Sequence, residues 1–375
     1  MKTIAFYLPQ FHEIPENNEW WGHGFTEWTN VKAAKPLYSG HNQPRVPLGD
    51  NYYNLLENDT LRWQVDLANK YGLYGFCFYH YWFDGKLLLE KPVEAFLKDT
   101  SLDTNFCLCW ANEHWTNAWA AKEPKVLIEQ KYGGKLEWKK HFDYFLPFFK
   151  DSRYIKEDGC PLLVIYRPEI IECLSEMLGY WNQLSIENGF NGIHFAYQHV
   201  SYTLSSKCDE SLFTYAIEYH PSCARAFKEM ETHANLKRIK KQIVNFFENK
   251  LKIDLREFKK GIKPMEHFSY DEVWNYIIKM NPRNDKCIPG AFIDWDNTPR
   301  RKDKGFVCDG STPKKFEEYM IKQILHAKND YKKDMIFIFS WNEWAEGGYF
   351  EPDEHNKFGY LEALYNALKS TNELE

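Results

Sequence analysis

No run of about 18 consecutive apolar residues occurs in the 375-residue chain, so the sequence offers no membrane-spanning helix. The first residues, MKTIAFYLPQF, carry one lysine and too short an apolar run for a signal peptide, and they read directly as a strand. A basic excess is missing as well: the formal charge is −6, which speaks against a nucleic-acid groove. The nine cysteines are odd in number and show no disulfide-like spacing; Cys77, Cys107 and Cys109 sit inside apolar strands, where a small buried thiol is the ordinary role. HExxH and CxxC are absent, so no metal site is expected. GxSxG, GxGxxG and GxxxxGK[ST] are absent too, which removes the usual serine-hydrolase, dinucleotide and P-loop signatures. The expectation is a reduced, cytoplasmic, soluble enzyme without a cofactor.

What the chain has in quantity is aromatic surface. Aromatics make up 17% of it, with 14 Trp and 24 Tyr, more than a core of this size requires. Trp and Tyr pair a flat apolar face with a polar edge, which suits a ligand with apolar ring faces and many hydroxyls.

Eight segments read as strands: 4–11, 74–83, 106–110, 162–167, 193–200, 212–219, 288–293 and 335–339. Most are followed by helical periodicity. That alternation predicts a parallel sheet, and the count of eight favours a closed (β/α)8 TIM barrel of class α/β over an open doubly wound sheet. Two features break the rhythm. A long first βα loop runs from His12 to about Asp50, and residues 222–286 read as a helical, Lys-rich insertion after strand 6. The latter contains a solvated cluster (Lys237, Arg238, Lys240, Lys241) and a capping box, Ser269-x-x-Glu272. A single domain over 1–375 is expected.

Polar and aromatic residues gather at strand ends, the face on which barrel sites are built. The richest cluster is FIFSWNEWAEGGYFEP, where Glu343 and Glu346 stand among Trp341, Asn342 and Trp344. Acids spaced i, i+3 point the same way only if the chain leaves the extended conformation, which Gly347-Gly348 allows. Two converging carboxylates are what glycosidic cleavage needs: one serves the leaving oxygen and the other the opposite side of the oxocarbenium-like state. The catalytic pair is therefore Glu343 and Glu346. Expected around the sugar are Tyr7, Glu27, His80, Trp82, Trp110, Asn112, Glu113, Trp115, Glu218, Asp296 and Arg300, with Trp341, Asn342 and Trp344. The DxD spacing of Asp294 and Asp296 falls on a strand end and reads as wall.

NEWAEG at Asn342–Gly347, followed by FEP at Phe350–Pro352, resembles the NEWxEG…EP signature of glycoside hydrolase family 99, the endo-α-mannosidases and mannanases. YLPQFH at Tyr7–His12, EWWGHGFTEWTNV at Glu19–Val31, FYHYWFDGK at Phe78–Lys86 and WANEHW at Trp110–Trp115 bring the chain closer still to the WbsX-like family. That family is commonly labelled as glycosyltransferases of surface-polysaccharide loci and is grouped with family 99-like barrels. The resemblance spans nearly the whole chain. It implies a (β/α)8 barrel and net retention by 2-hydroxyl participation, with Glu343 as base and Glu346 as acid/base. Ala345 stands where family 99 often has His, and Gly348-Tyr349 replaces Thr-Gln. Three functions stay open: a retaining glycoside hydrolase on an α-linked, α-mannosidic or bacterial glycan; a glycosyltransferase of O-antigen or capsule biosynthesis; and a non-catalytic carbohydrate-binding barrel. In each, the partner is an oligosaccharide or polysaccharide, with no nucleic acid and no membrane span.

Overall fold

A computed structural model describes residues 1–117, 125–201, 203, 208–228 and 265–374. The Lys-Arg cluster at 237–241 and most of the expected insertion lie outside the described residues.

Eight strand positions form a parallel barrel: Lys2–Tyr7, Gly75–Phe83, Asn105–Trp110, Cys160–Ile165, His194–His199, Tyr215–Glu218, a seventh in two pieces, and Met335–Phe339. Neighbours pair in parallel in that order, and the first strand also pairs with the eighth. The seventh position, read from sequence as one strand, is divided at Pro289. Cys287–Ile288 pairs with the sixth strand and Gly290–Phe292 with the eighth. Proline has no N–H to give a ladder, so the chain changes partner there and the ring is completed across it.

Helices follow the strands because their apolar residues recur on one face. In Lys135–Lys150 the buried Trp138, Phe142, Phe145 and Phe149 mark a single stripe against the barrel. Pro313–His326 starts at Thr312, whose hydroxyl accepts from the Lys315 N–H at 3.3 Å, with Pro at the first helical position. Of the predicted capping box the N-cap half is present, Ser269 Oγ accepting from the Glu272 N–H at 3.3 Å. Its helix, Tyr270–Lys279, stacks Trp274 on Phe292 and on Tyr319, with centroids 5.4 Å apart in each case. It therefore belongs to the barrel's own helix layer, a correction to its reading as part of an insertion. Among the described residues no helix is long and apolar enough to cross a membrane.

Successive side chains of each strand point alternately into the barrel and out to the helices. Phe6, Tyr79, Tyr219, Phe337 and Phe339 pack on one another inside the barrel, with centroids 5.3–5.7 Å apart. Tyr7, Phe78 and His80 take the opposite parity and meet helix residues Gln64, Phe96 and His141.

The long first loop contains two short helices, Pro15–Trp21 and Glu27–Ala33. Its later part fastens the ends of the seventh and eighth strands. His41 Nε2 and Gln43 Nε2 meet Asp296 at 2.8 and 2.7 Å, and Arg45 donates to Asp294 at 2.8 Å and to the Gly347 carbonyl at 3.1 Å.

Candidate active site

A cavity of about 470 Å³ opens at the carboxyl ends of the strands, large enough for a few sugar rings. Its acid-bearing wall is the turn after the eighth strand. Asn342–Glu343 pairs antiparallel with Gly348–Tyr349, and Trp344–Glu346 makes one 3-10 turn between them. The chain thus leaves the strand conformation between the two acids, and both side chains reach the cavity. Gly347, at φ +73°, closes the turn; a Cβ there would lie 2.7 Å from the Asp296 nitrogen. That nitrogen donates to the Glu346 carbonyl at 2.8 Å, and the Glu343 N–H donates to Ser340 Oγ at 2.9 Å. Both acids are thereby held through their backbone.

One guanidinium joins the site. Arg300 donates from Nη1 to Glu346 at 2.6 Å, from Nη2 to Glu343 at 3.1 Å and from Nε to Glu27 at 2.9 Å. Burial opposes its charge, but the carboxylates of Glu27, Glu346 and Glu343 outweigh that and hold Arg300 well above its ordinary pKa. The rigid guanidinium holds the bonded oxygens of Glu343 and Glu346 no more than about 8 Å apart, near enough for both to reach one sugar ring.

Glu343 is nearly fully buried, and desolvation pushes its carboxyl well above the usual range. Arg300 pulls the other way, while Glu346 and Glu27 add to the rise. Burial wins, so the empty site keeps a proton on Glu343 near neutral pH.

Of the residues expected at the sugar, Glu27, Glu113, Trp115, Arg300, Glu343 and Glu346 line the cavity. The other ten do not, and each has a structural occupation that explains why. Tyr7 donates to Gln64 at 2.6 Å in the helix layer. His80 pairs with His141, Nε2 to Nε2 at 2.9 Å, and Trp82 stacks on His141 at 4.4 Å. Trp82 and Trp110 border a separate cleft of only about 10 Å³, room for no more than a water. Asn112 staples the third strand end to the fourth, donating to the Arg167 carbonyl at 2.8 Å and accepting from its N–H at 2.7 Å. Glu218 is buried and accepts from Tyr331 at 2.7 Å. Asp296 accepts from His41, Gln43 and Thr298, and these hydrogen bonds with Arg45 overcome burial and hold its carboxyl far below the usual range.

The eighth-strand neighbours are likewise structural. Asn342 clasps the Leu8 peptide from both sides, at 2.7 and 3.0 Å. Trp341 is fully buried against Phe76, and Trp344 stacks on Tyr349 at 3.8 Å while donating to Glu351 at 2.6 Å. Glu351 also accepts from Tyr53 and Gln64; burial still pushes its carboxyl up, to about 7.

The sequence reading missed Tyr79, Tyr81, Tyr219, His114, Trp295 and Arg301, all on the cavity wall. Tyr79 and Tyr219 lie at its floor, with hydroxyls 3.3 Å apart. Among the described residues no group of three His, Cys, Asp or Glu side chains is placed to hold a metal ion.

The family model described as Glycosyltransferase WbsX matches residues 3–364. The chain belongs to the WbsX family. Two relatives named uncharacterized protein WxcX, from Xanthomonas campestris pv. campestris strains B100 and ATCC 33913, are 35% identical over 97% of this chain. This WbsX chain spans 49% of their length. A solved GH99 endo-α-mannosidase from Bacteroides thetaiotaomicron superposes with a TM-score of 0.53 at 14% identity, over 99% of this chain and 98% of that one. A glycoside hydrolase-like protein gives 0.57 at 12%, over 98% and 93%. At such identities the likeness is one of fold, and it agrees with the (β/α)8 barrel described above.

Proposed function

We propose that this WbsX chain is a carbohydrate-active enzyme that breaks an α-linked glycosidic bond with net retention, using Glu343 and Glu346. The observation that carries the reading is Arg300, whose single guanidinium gathers both acids and Glu27 on one wall of a sugar-sized cavity. A surface ion pair would not need three carboxylates, and burying this many charges away from a ligand would only cost stability.

Glu343 takes the proton of the sugar 2-hydroxyl as that oxygen attacks C1. Glu346 gives its proton to the leaving oxygen, and the C1–O bond breaks to leave a 1,2-anhydro sugar. Glu346 then takes a proton from the incoming water, the C1–O2 bond opens, and O2 recovers its proton from Glu343. Two inversions at C1 give retention, and both acids return to their starting state. One proton is shared by the pair before reaction. Burial keeps it on Glu343 in the empty site, so substrate binding has to move it to Glu346. A base with a raised pKa is the stronger base once ionised.

The family description favours a second reading, transfer to a sugar hydroxyl. The same steps apply, with that hydroxyl in place of water, in the building of a surface polysaccharide. Tyr79, Tyr81 and Trp115 supply ring surface for the sugar in either case.

The test is mass-spectrometric product analysis on defined α-mannosides and bacterial polysaccharides, with and without sugar acceptors. Glu346→Gln should cut turnover by about 10² to 10⁴ on natural linkages and much less on aryl glycosides, whose leaving group needs no acid. Glu343→Gln should fail on both. Unchanged turnover in both variants removes the assignment.

A further inference from the structure

The cavity has a second charged feature that the two acids do not use. Its lining carries four carboxylates, Glu27, Glu113, Glu343 and Glu346, and two guanidiniums, Arg300 and Arg301. Arg300 is engaged by three of those acids, and Glu113 is answered by Arg167 at 3.1 Å. Arg301 is exposed at the cavity, and its guanidinium pairs with no group among the described residues. It begins the run Arg301-Lys302-Asp303-Lys304, exposed throughout and basic in a chain whose overall charge is −6.

The wall beside Arg301 points the same way. Trp295 and Phe306 line the cavity, yet their faces are covered. Phe306 stacks on Trp295 at 5.0 Å, Arg225 lies 3.8 Å over the Phe306 ring, and Phe339 packs on Trp295 at 4.8 Å. What remains for a ligand is ring edge, the electropositive part of an aromatic. A cation without a partner, set among ring edges, makes a poor seat for a neutral sugar and a good one for oxygen anions.

We propose that Arg301, Trp295 and Phe306 form an anion subsite adjoining Glu343 and Glu346, and that the ligand is a glycan carrying a carboxylate or phosphate group there. This rests on the sugar-processing reading and narrows its substrate class. The anion has two sources: a uronate within a polysaccharide, or the diphosphate of an activated sugar.

Isothermal titration of the full chain with three probes separates them: an oligogalacturonide, UDP-glucose, and a neutral α-mannotetraose. A charged probe should bind more tightly than the neutral one, and its affinity should fall with added salt. Arg301→Gln should weaken it roughly tenfold to a hundredfold, the worth of hydrogen bonds to charged groups, while Arg301→Lys keeps most of the affinity. Arg301 is exposed, so both variants should fold as the parent does. The preferred charged probe names the source. Equal affinity for the neutral probe, no binding of either charged probe at millimolar concentration, or an unaffected Arg301→Gln overturns the subsite. Loss of the Glu343 and Glu346 assignment with Arg301-dependent anion binding intact would sink the catalytic reading alone.

Discussion

Replacing Arg300 with Gln removes the cation on which the acid cluster depends, and the consequence has a sign as well as a size. Its three partners are unequal: Glu27 and Glu343 side chains are 3% and 7% exposed, whereas Glu346 is 22% exposed and better screened. Breaking a buried ion pair by removing one partner costs about 3–5 kcal/mol, because the other charge is left uncompensated. Gln retains one amide donor, which returns about 1 kcal/mol. A loss of about 3 kcal/mol is therefore expected at pH 8, where the carboxyls are forced to ionise. Without the cation, the Glu343 carboxyl of the folded protein moves further above its unfolded value, because Arg300 is what pulls it down. The folded variant then holds more protons than the unfolded chain, so its stability falls as pH rises. At pH 5, with Glu343 protonated, the difference from wild type should shrink to about 1 kcal/mol. Urea denaturation followed by tryptophan fluorescence at the two pH values measures this. A difference that is equal at both, or larger at pH 5, would refute the electrostatic account of the cluster.

Gly347→Ala should cost about 1–2 kcal/mol from its left-handed backbone alone, and turnover should fall further because the crowded Asp296 nitrogen also holds the Glu346 carbonyl; unchanged kcat would show that this turn does not position the acid. His80 and His141 are both held below the ordinary histidine pKa by burial, so the unfolded chain binds protons that the fold refuses. Their contribution is intact above about pH 6.5 and is lost below it, by up to about 2.7 kcal/mol per pH unit for the two, and His141→Gln should halve that slope in an acid denaturation series. The pair needs its one proton, and in the free enzyme Glu343 holds it, so kcat/KM should fall as pH rises through the raised range of Glu343, giving an alkaline limb well above the usual carboxylate range; an alkaline limb within the ordinary carboxylate range would contradict the burial argument.

The barrel was legible because its strands are short apolar runs separated by stretches of helical periodicity. Pro289 is the instructive exception. An isolated proline in an apolar run reads as part of a strand, whereas here it marks a change of partner. The site was half legible. Glu343, Glu346, Glu27 and Arg300 could be picked out as polar groups at strand ends, although nothing in the sequence brings Glu27 to Arg300 across 273 positions.

The misses share one cause. Tyr7 was expected where Leu8 lines the cavity, His80 and Trp82 where Tyr79 and Tyr81 do, Trp110 for Ala111, Glu218 for Tyr219, and Asp296 for Trp295. Each is one residue off. In a strand a shift of one reverses the face, and runs such as YGFCFYHYWF are apolar on both faces, so they carry no parity signal. Polar residues were chosen for their chemistry, but His80 and Glu218 turn away from the cavity to His141 and Tyr331, and Asp296 is taken up by His41 and Gln43 of the first loop. The indoles of Trp341 and Trp344 misled in the same way, since both are buried pillars of the turn.

The central claim is that Glu343 and Glu346 act in succession on one anomeric carbon. Its most direct test is a proton NMR time course of turnover on an α-linked substrate, read before the product mutarotates. The account predicts that the α-anomer forms first and the β-anomer appears only later. A β-anomer formed first would mean a single inversion and would contradict it.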